Sequence, residues 1–330
     1  MPVFSFTAPH ITPEEEERER STLSEEMKME LHDDLYGHRH DLELLETDQL
    51  VGGKLAEFER ELSQIPAPLL KDYKEAMERA PELVQTESNP LKFLRCEKYD
   101  AAKAARRMSM YWKTRRKCFG DDRAFLPMKL HGAMKDDTCV VESAIVSILP
   151  NDMNGRGVLF FDRIRAIPPM ADRDAVLRCI FFMIHIMSED MDIQKSGYVC
   201  LNNIKGYDLY KHFDRIFIKQ SSILMVESMP TKIKAYHLLA GSENGVMSLV
   251  LPVMKHVVAQ ELRLRMVVHS GNDRKIMDTL RPYGLTSANL SFVLGGDFKQ
   301  SDFMNWLHNW KKAEEPDNAD LSCSFMMTGK

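Results

Sequence analysis

The sequence predicts an α/β fold in which an N-terminal helical region packs on a mixed, mostly parallel β-sheet flanked by helices, with either a thick core or an internal apolar cavity between sheet and helices. Three observations support this prediction. Residues 41–120 have helical periodicity, strand-like and helical segments alternate after residue 135, and two of the later helices are apolar on nearly all sides. A chain of 330 residues with 44% hydrophobic side chains is long enough to bury such a core.

The first 40 residues are predicted to form a disordered acidic leader. Residues 1–50 carry 14 acidic and 4 basic side chains, a net charge of −10, which leaves +5 on residues 51–330. The stretch PEEEERER at 13–20 lacks the apolar density to fold alone, so we expect disorder at least to about residue 30. The charge of +5 is too diffuse for a nucleic-acid groove, and no nucleic-acid partner is expected.

The sequence gives little support for a metal site or a disulfide framework. His32, His38 and His40 are close in sequence, and a metal site is conceivable there, but no cluster of carboxylates and thiols accompanies them. A solvated loop is the favoured interpretation. The six cysteines are scattered, form no CxxC pair and fall mostly in apolar or helical patterns. Reduced, buried thiols of this kind indicate a cytosolic protein.

The patterns that would indicate an enzyme are missing from the sequence. No GxGxxG follows a strand, no GxxxxGK[ST] occurs, and GSENG at 241–245 is not the GxSxG motif of hydrolases. No apolar run reaches the roughly 18 residues of a membrane span, and the N-terminus does not resemble a secretory signal. We therefore expect a non-enzymatic cytoplasmic protein without a cofactor.

The helical region is predicted from its periodicity and its caps. Leu55, Phe58, Leu62 and Ile65 form one apolar stripe at three- and four-residue spacing. Further helices are expected from their N-caps and ends: Ser88 or Asn89 with Pro90 at the first helical position, and Asp100 before a helix that ends at Gly120. The basic stretch KTRRKC at 113–118 is interpreted as a solvated helix face, with membrane contact as the alternative.

After residue 135 the period changes to that of strands alternating with helices. Crossover connections between such strands give a mostly parallel sheet. The expected strands are CVVESAIVSILP (139–150), GVLFFDRIR (157–165), 198–203, 234–239 and 265–269, and the expected helices are 172–188, 214–227 and 244–258.

Two of these helices are more apolar than a helix on a sheet requires. DAVLRCIFFMIHIM at 174–187 and GVMSLVLPVMKHVV at 245–258 are apolar nearly all round, whereas one stripe would cover a sheet face. They indicate either a thick core or an internal cavity. The 22 methionines fit an adaptable apolar pocket, although methionine as ordinary core filler remains an equal alternative.

Four segments, in this order, resemble the CRAL-TRIO family of phosphatidylinositol- and tocopherol-transfer proteins. NPLKFLRCEKYDAAKAARRMSMYWKTRRK is similar to the N-terminal helical signature of the family, and GYVCLNNIKGYDL to its strand ending in Asp-x-x-Gly. ESMPTKIKAYHLL resembles the segment YPERLKAIHLIN, and LRMVVHSGN through FVLGGDF resembles the closing strand, helix and Gly-Gly. The resemblance covers about residues 85–297. It implies four parts: a leader (1–40), a helical region (41–120), a lipid-binding domain (121–300) and a C-terminal helix with its tail (301–330).

The resemblance implies a protein that binds a phospholipid or isoprenoid-type lipid, phosphatidylinositol among the candidates, and transfers or presents it at membranes. Such a protein would be cytoplasmic and transiently peripheral on the membrane surface. The alternative is an interaction protein that keeps the fold with a collapsed pocket. The pocket residues implied by the family are Leu177, Ile180, Ile184, Leu201, Leu224, Met229, Thr231 and Tyr236.

By the same resemblance, the helix at 244–258 is the lid of the pocket. Gly241 and Gly245 would act as its hinge, and Pro252 interrupts its backbone hydrogen bonding. The lid residues expected to face the pocket or the bilayer are Met247, Val250, Leu251, Met254 and Val257.

Polar positions of the family are kept only in part. Lys232 and Arg265 stand where cations would meet an anionic headgroup, but Thr231 replaces the glutamate of the phosphoinositide-binding members, which puts inositol recognition in question. Asn203 replaces the aspartate at the end of the strand. Because asparagine accepts backbone hydrogen bonds and tolerates turns, a structural role is expected for Asn203.

Overall fold

A five-stranded β-sheet forms the centre of the protein. The computed structural model describes residues 9–38, 46–166, 172–209, 211–241 and 245–314, the last range without the side chains of 245–249. The strands lie in the sheet in chain order: β1 (Val146–Leu149), β2 (Gly157–Asp162), β3 (Tyr198–Asn203), β4 (Ile233–Ala240) and β5 (Met266–Ser270). β1 pairs antiparallel with β2, and the other three pairs are parallel. The predicted mixed, mostly parallel sheet is confirmed.

The helices that precede the sheet are α1 (Pro13–Ser21), α2 (Glu25–Tyr36), α3 (Asp48–Gln64), α4 (Ala67–Arg79), α5 (Pro81–Thr86), α6 (Pro90–Cys96), α7 (Ala101–Arg123) and α8 (Thr138–Glu142). The later helices are α9 (Arg173–Met187), α10 (Met191–Ser196), α11 (Arg215–Ile223), α12 (Gly245–Val257), α13 (Gln260–Leu264), α14 (Asp273–Leu280) and α15 (Gln300–Ala313). A π-helical turn (Leu224–Ser228) extends α11, and 3₁₀ turns occur at Arg163–Ala166, Arg281–Tyr283, Ser287–Asn289 and Phe292–Leu294. Among these helices, none is both long and apolar enough to cross a bilayer.

The two faces of the sheet belong to different parts of the core. On the first face, β3 presents Tyr198 and Cys200 to a large apolar core that also contains side chains of α7, α9, α11 and α12. On the second face, Val199 and Leu201 pack with α14 and the segments that follow it. Side chains alternate along a strand, so β1, β2, β3 and β4 each contribute to both cores, whereas β5 contributes Met266 to the first.

The second face also holds a buried pair of neutral histidines. His237 Nδ1 lies 3.0 Å from His269 Nε2, and His269 Nδ1 lies 2.9 Å from the hydroxyl of Thr279. That hydroxyl donates to the carbonyl of Ile276, so it accepts from His269 Nδ1–H, and His237 Nδ1–H donates to His269 Nε2. Burial lowers the pKa of His269 to about 4; burial and the adjacent His269 lower the pKa of His237.

The expectation of a disordered leader is wrong for residues 13–36, which form α1 and α2. Thr12 and Glu15 form a capping box that starts α1, and Ser24 caps α2. Ion pairs with the basic body hold both helices: Asp34 of α2 is buried and binds Lys234 and Arg265. The leader lacks a core of its own, as its composition indicates, and packs on the rest of the chain instead. Residues 1–8 and 39–45 lie outside the described residues.

Two further expectations need correction, while the predicted caps are confirmed. Residues 138–142 form α8, so the first strand begins at Val146 and not near Cys139. Arg115, expected on a solvated face, is fully buried and donates to Glu87 and to the carbonyl of Leu126. Asn89 and Asp100 cap their helices as predicted, and Gly120 has a positive φ of 68° where the helix was expected to end.

A candidate ligand cavity between the sheet and helix α12

An apolar cavity lies on the first face of the sheet, under the C-terminal half of α12. Four strands and four helices contribute to it. The lining residues are Leu159, Phe161, Arg163, Ile180, Cys200, Asn202, Ile204, Leu209, Phe217, Ile218, Ser221, Met225, Tyr236, Leu238, Met254, Val258, Leu262 and Met266.

The free space of the cavity is small. The space between the lining atoms, including its opening toward solvent, is about 680 Å³, but only about 40 Å³ of it can take the centre of a water molecule. Pockets that hold drug-sized ligands usually measure about 300–1,000 Å³. The walls therefore have to separate before a lipid could enter.

Four lining side chains carry polar groups. The Ser221 hydroxyl donates to the carbonyl of Ile218, 3.1 Å away. Asn202 Nδ2 donates to the Tyr236 hydroxyl at 2.5 Å, and burial raises the pKa of Tyr236, so its phenol is neutral. The guanidinium of Arg163 lies 4.8–5.0 Å from the ring centroids of Phe161, Tyr207 and Phe217. No carboxylate in the described part of the chain pairs with Arg163.

The family comparison falls on the segment that builds this cavity. Residues 155–294 match the family model described as a divergent CRAL/TRIO domain. The resemblance to the CRAL/TRIO family that the sequence motifs predict is thus confirmed for residues 155–294. CRAL/TRIO domains form a family of lipid-binding and lipid-transfer domains. Among solved structures, a match is the crystal structure of Sfh5, with 13% sequence identity, a TM-score of 0.48, and coverage of 79% of this chain and 92% of that chain.

The cavity under α12 includes only some of the residues that were predicted to line the pocket. Ile180, Tyr236 and the lid residue Met254 lie on its wall. The other predicted pocket residues are buried elsewhere: Leu177, Ile184, Leu201, Leu224, Met229 and Thr231. Leu177 and Ile184 flank Ile180 on α9, but the cavity contacts only the middle of that helix. Thr231 donates to the carbonyl of Ile193 at 3.0 Å, so its hydroxyl is already satisfied.

Leu201 was predicted to line the pocket, but its side chain lies on the other face of β3. It belongs to the core on the second face, with Val199, whereas its neighbours Cys200 and Asn202 face the cavity. A shift of one residue along a strand exchanges the two faces. Asn202 was therefore missed as a cavity residue, because β3 is buried on both faces and its sequence does not show which face meets the cavity. Asn203 has its expected structural role, because its Oδ1 accepts from the backbone N–H of Lys205 at 3.3 Å.

Lys232 and Arg265, the cations predicted to meet a headgroup, do not line the cavity under α12. Lys232 Nζ lies 3.0 Å from Glu97 Oε2, and Arg265 Nη2 lies 2.7 Å from Asp34 Oδ2. Burial alone would raise the pKa values of Glu97 and Asp34, but the adjacent cations outweigh it and lower both. Both carboxylates are ionised at neutral pH, so each cation already has an anionic partner within the protein. This corrects the expectation that the two cations lie together at an open headgroup site.

Met254 is the one predicted lid residue on the cavity wall, among those whose side chains the structure describes. Val250 is buried, Leu251 is half-buried against the first core, and Val257 is half-buried. The side chain of Met247 lies outside the described residues. Val258, directly after α12, lines the cavity and extends the contact of the lid.

Helix α1 holds the lid region against the body. Lys255 of α12 pairs with Glu16, and Arg263 of α13 pairs with Glu19 through Nε at 2.9 Å and Nη2 at 2.6 Å. The backbone N–H of Ile11 also donates to the carbonyl of Pro252 at 3.1 Å. We call these contacts of residues 11–20 with residues 252–264 the clasp. It was missed in the sequence because ion pairs between distant segments leave no local pattern.

Near the start of the chain, the histidine cluster is partly formed. His32 and His38 each lie 3.8 Å from Asp33, and ligand atoms of the three residues fall within 4.8 Å of one another. His40 lies outside the described residues. The cluster is exposed and lies on α2 and the segment after it, away from the cavity.

Proposed function

We propose that this protein binds one lipophilic molecule in the cavity beneath α12 and exchanges it at membranes without covalent chemistry. The observation that carries the proposal is a nearly continuous apolar wall, built from four strands and four helices within the matched CRAL/TRIO segment. A ligand that buries several hundred Å² of apolar surface at roughly 25 cal/mol/Å² needs no covalent bond to be retained.

Entry of such a ligand requires one wall of the cavity to move. The strands are joined by hydrogen-bonded ladders, interrupted only by a register shift between β3 and β4 at Tyr198 and Val199. Helix α9 is buried in the core along nearly its whole length, from Ala175 to Met187. Helix α12 is different, because Pro252 interrupts its hydrogen bonding and the clasp holds it chiefly through side-chain ion pairs. We therefore propose α12 as the lid, with Gly241 as a hinge, which exposes apolar side chains to a bilayer when it opens.

The second candidate function is an interaction protein that keeps the fold without binding a lipid. The free space of about 40 Å³ favours it, because that volume holds little more than a water molecule. Under this alternative the acidic residues around the clasp and the helical N-terminal region would form docking surfaces, and α12 would be an ordinary core helix.

Ligand extraction separates the two candidates. The full chain is incubated with vesicles containing phosphatidylcholine, phosphatidylinositol and an isoprenoid alcohol, re-isolated, and examined by native mass spectrometry and organic extraction. The proposed function predicts about one bound lipophile per protein. Ile180→Trp should reduce this occupancy severalfold because its side chain fills the cavity, at a cost of about 1–3 kcal/mol in stability from overpacking.

The matched control is Val268→Trp, which adds the same indole at a partly exposed position of β5 that does not line the cavity. This variant should keep the occupancy of the wild-type protein. If the wild-type protein carries no lipophile after incubation, the interaction protein is the better description. If Ile180→Trp and Val268→Trp carry equal amounts, the ligand lies outside this cavity.

A further inference from the structure

Of the polar groups on the cavity wall, one is unsatisfied. Asn202 is 6% exposed, and its Oδ1 has no hydrogen-bond partner. Six buried side-chain atoms in the described part of the chain share this condition, and Asn202 alone among their residues lines the cavity. A buried acceptor without a donor is unfavourable, so natural proteins rarely keep one without a reason.

The neighbour of Asn202 supplies the complementary group. Asn202 Nδ2 donates to the Tyr236 hydroxyl oxygen, which leaves the phenolic proton of Tyr236 free to donate elsewhere. The two residues lie on adjacent parallel strands, where Cys200 pairs with Tyr236 and Asn202 pairs with Leu238. The strand ladder therefore fixes one free acceptor and one free donor side by side on a mostly apolar surface.

We infer that Asn202 and Tyr236 form a polar subsite that selects a lipophile with a hydroxyl head, such as a long-chain isoprenoid alcohol, over a diacyl phospholipid. This inference rests on the proposed function. A hydroxyl donates to Asn202 Oδ1 and accepts from the Tyr236 O–H, so it satisfies both groups at once. An ether or ester oxygen accepts only, and leaves Asn202 Oδ1 unpaired.

The charges near the cavity agree with a neutral head group. Lys232 and Arg265, the cations expected to hold a phosphate, are each paired with a buried carboxylate. Arg163 is the one cation among the lining residues, and it donates to the Tyr207 hydroxyl at 3.1 Å and lies among three aromatic rings. An anionic phosphate beside the Asn202 carbonyl oxygen would meet a second acceptor, which is unfavourable in a buried site.

The test compares four probes on the full chain: geranylgeraniol, its methyl ether, the corresponding carboxylic acid, and phosphatidylcholine supplied in vesicles. We expect geranylgeraniol to bind at least about tenfold more tightly than the methyl ether, because a site built to hydrogen-bond a hydroxyl is left with an unpaired polar group by the ether. The acid and phosphatidylcholine should bind more weakly than the alcohol.

The double variant Asn202→Leu, Tyr236→Phe should bind the methyl ether about as tightly as the wild-type protein does, with the preference for the alcohol reduced to less than about threefold. The matched control is Tyr198→Phe, which removes an unpartnered buried hydroxyl from the same face of β3 but does not line the cavity. This control should keep the tenfold preference. Asn202→Leu and Tyr236→Phe as single variants should each lose part of it.

Several outcomes would overturn the inference while leaving lipid binding intact. One is an equal preference for the alcohol in the wild-type protein and the double variant. Another is tighter binding of the carboxylic acid, which would assign the head group to Arg163, or of phosphatidylcholine. If none of the four probes binds the wild-type protein, the proposed function itself fails and the subsite fails with it.

Discussion

Replacing Glu16 and Glu19 by glutamine should loosen the lid without disturbing the core. The two substitutions remove both ion pairs of the clasp, to Lys255 and Arg263, while keeping the size of each side chain. The hydrogen bond from Ile11 to Pro252 remains, so α1 would stay near α12 but would hold it less firmly.

The magnitude follows from the geometry of the two pairs. Arg263 is 8% exposed and Glu19 is 25% exposed at the side chain, and two charge-assisted hydrogen bonds join them. In the variant, Arg263 still donates to two acceptors, the carbonyls of Lys255 and Val258, so its buried guanidinium keeps hydrogen-bond partners. We therefore expect a loss of about 1–2 kcal/mol for the pairs together, between the values for exposed and for buried ion pairs.

Hydrogen exchange measured by mass spectrometry at pH 7 tests this magnitude. A loss of 1–2 kcal/mol in local opening free energy raises amide exchange about 5- to 30-fold. The increase should appear at residues 250–264 and be absent from α9. The control is Glu17→Gln, which removes one negative charge, against two in the test variant, from an exposed side chain of α1.

Equal exchange at 250–264 in the Glu16→Gln, Glu19→Gln variant and in Glu17→Gln would refute the clasp as a restraint on the lid. Faster exchange over the whole chain would show instead that the two substitutions destabilise the entire fold. Only a local increase agrees with an α12 that opens independently of the sheet.

Two further predictions concern pH and a buried arginine. Because the folded-state pKa values of His237 and His269 are lowered, only the unfolded chain takes up protons there as the pH falls from about 6.5 toward 4, and the free energy of unfolding should fall by up to about 1.4 kcal/mol per pH unit for each histidine. Urea denaturation at pH 7, 6 and 5 measures this dependence of the unfolding free energy on pH. The double variant His237→Phe, His269→Leu should make the dependence weaker, whereas the exposed His256→Gln should leave it as it is. An unchanged dependence in the double variant would contradict the lowered pKa values of His237 and His269. Arg115→Glu should cost about 3–5 kcal/mol of stability or prevent folding, since it places a carboxylate beside Glu87. Arg106→Glu, on the exposed side of α7, should change stability by less than about 0.5 kcal/mol. Thermal melts compare the two variants, and similar melting temperatures would show that Arg115 is not buried in solution.

The alternation of strands and helices could be predicted because it depends on local periodicity. β3, β4 and β5 and their intervening helices begin and end within a few residues of the expected positions. The faces of β3 could not be predicted in the same way. The strand is buried on both sides, so its apolar run gives no sign of which residues face the cavity, and Leu201 was chosen where Asn202 lies.

The charged partners could not be predicted either, because they come from distant parts of the chain. Arg265 binds Asp34, which lies 231 positions earlier, and only the fold brings them together. The same holds for Lys232 with Glu97 and for the clasp. Composition correctly indicated that α1 cannot bury an apolar core, but a helix with a good cap also forms when its charges pair with an opposite charge on the body.

The position of α2 in the fold constrains the order in which a newly made chain can assemble. Asp34 is synthesised before its partners Lys234 and Arg265, which lie 200 and 231 residues later in the chain. At about 5–20 residues per second, that delay is on the order of 10–50 s. Throughout this time Asp34 lacks its cationic partners, although strands can already be added to the sheet one after another in chain order. The acidic segment is thus made before the part of the chain that holds it, and a chain cut before β4 would lack both cationic partners of Asp34.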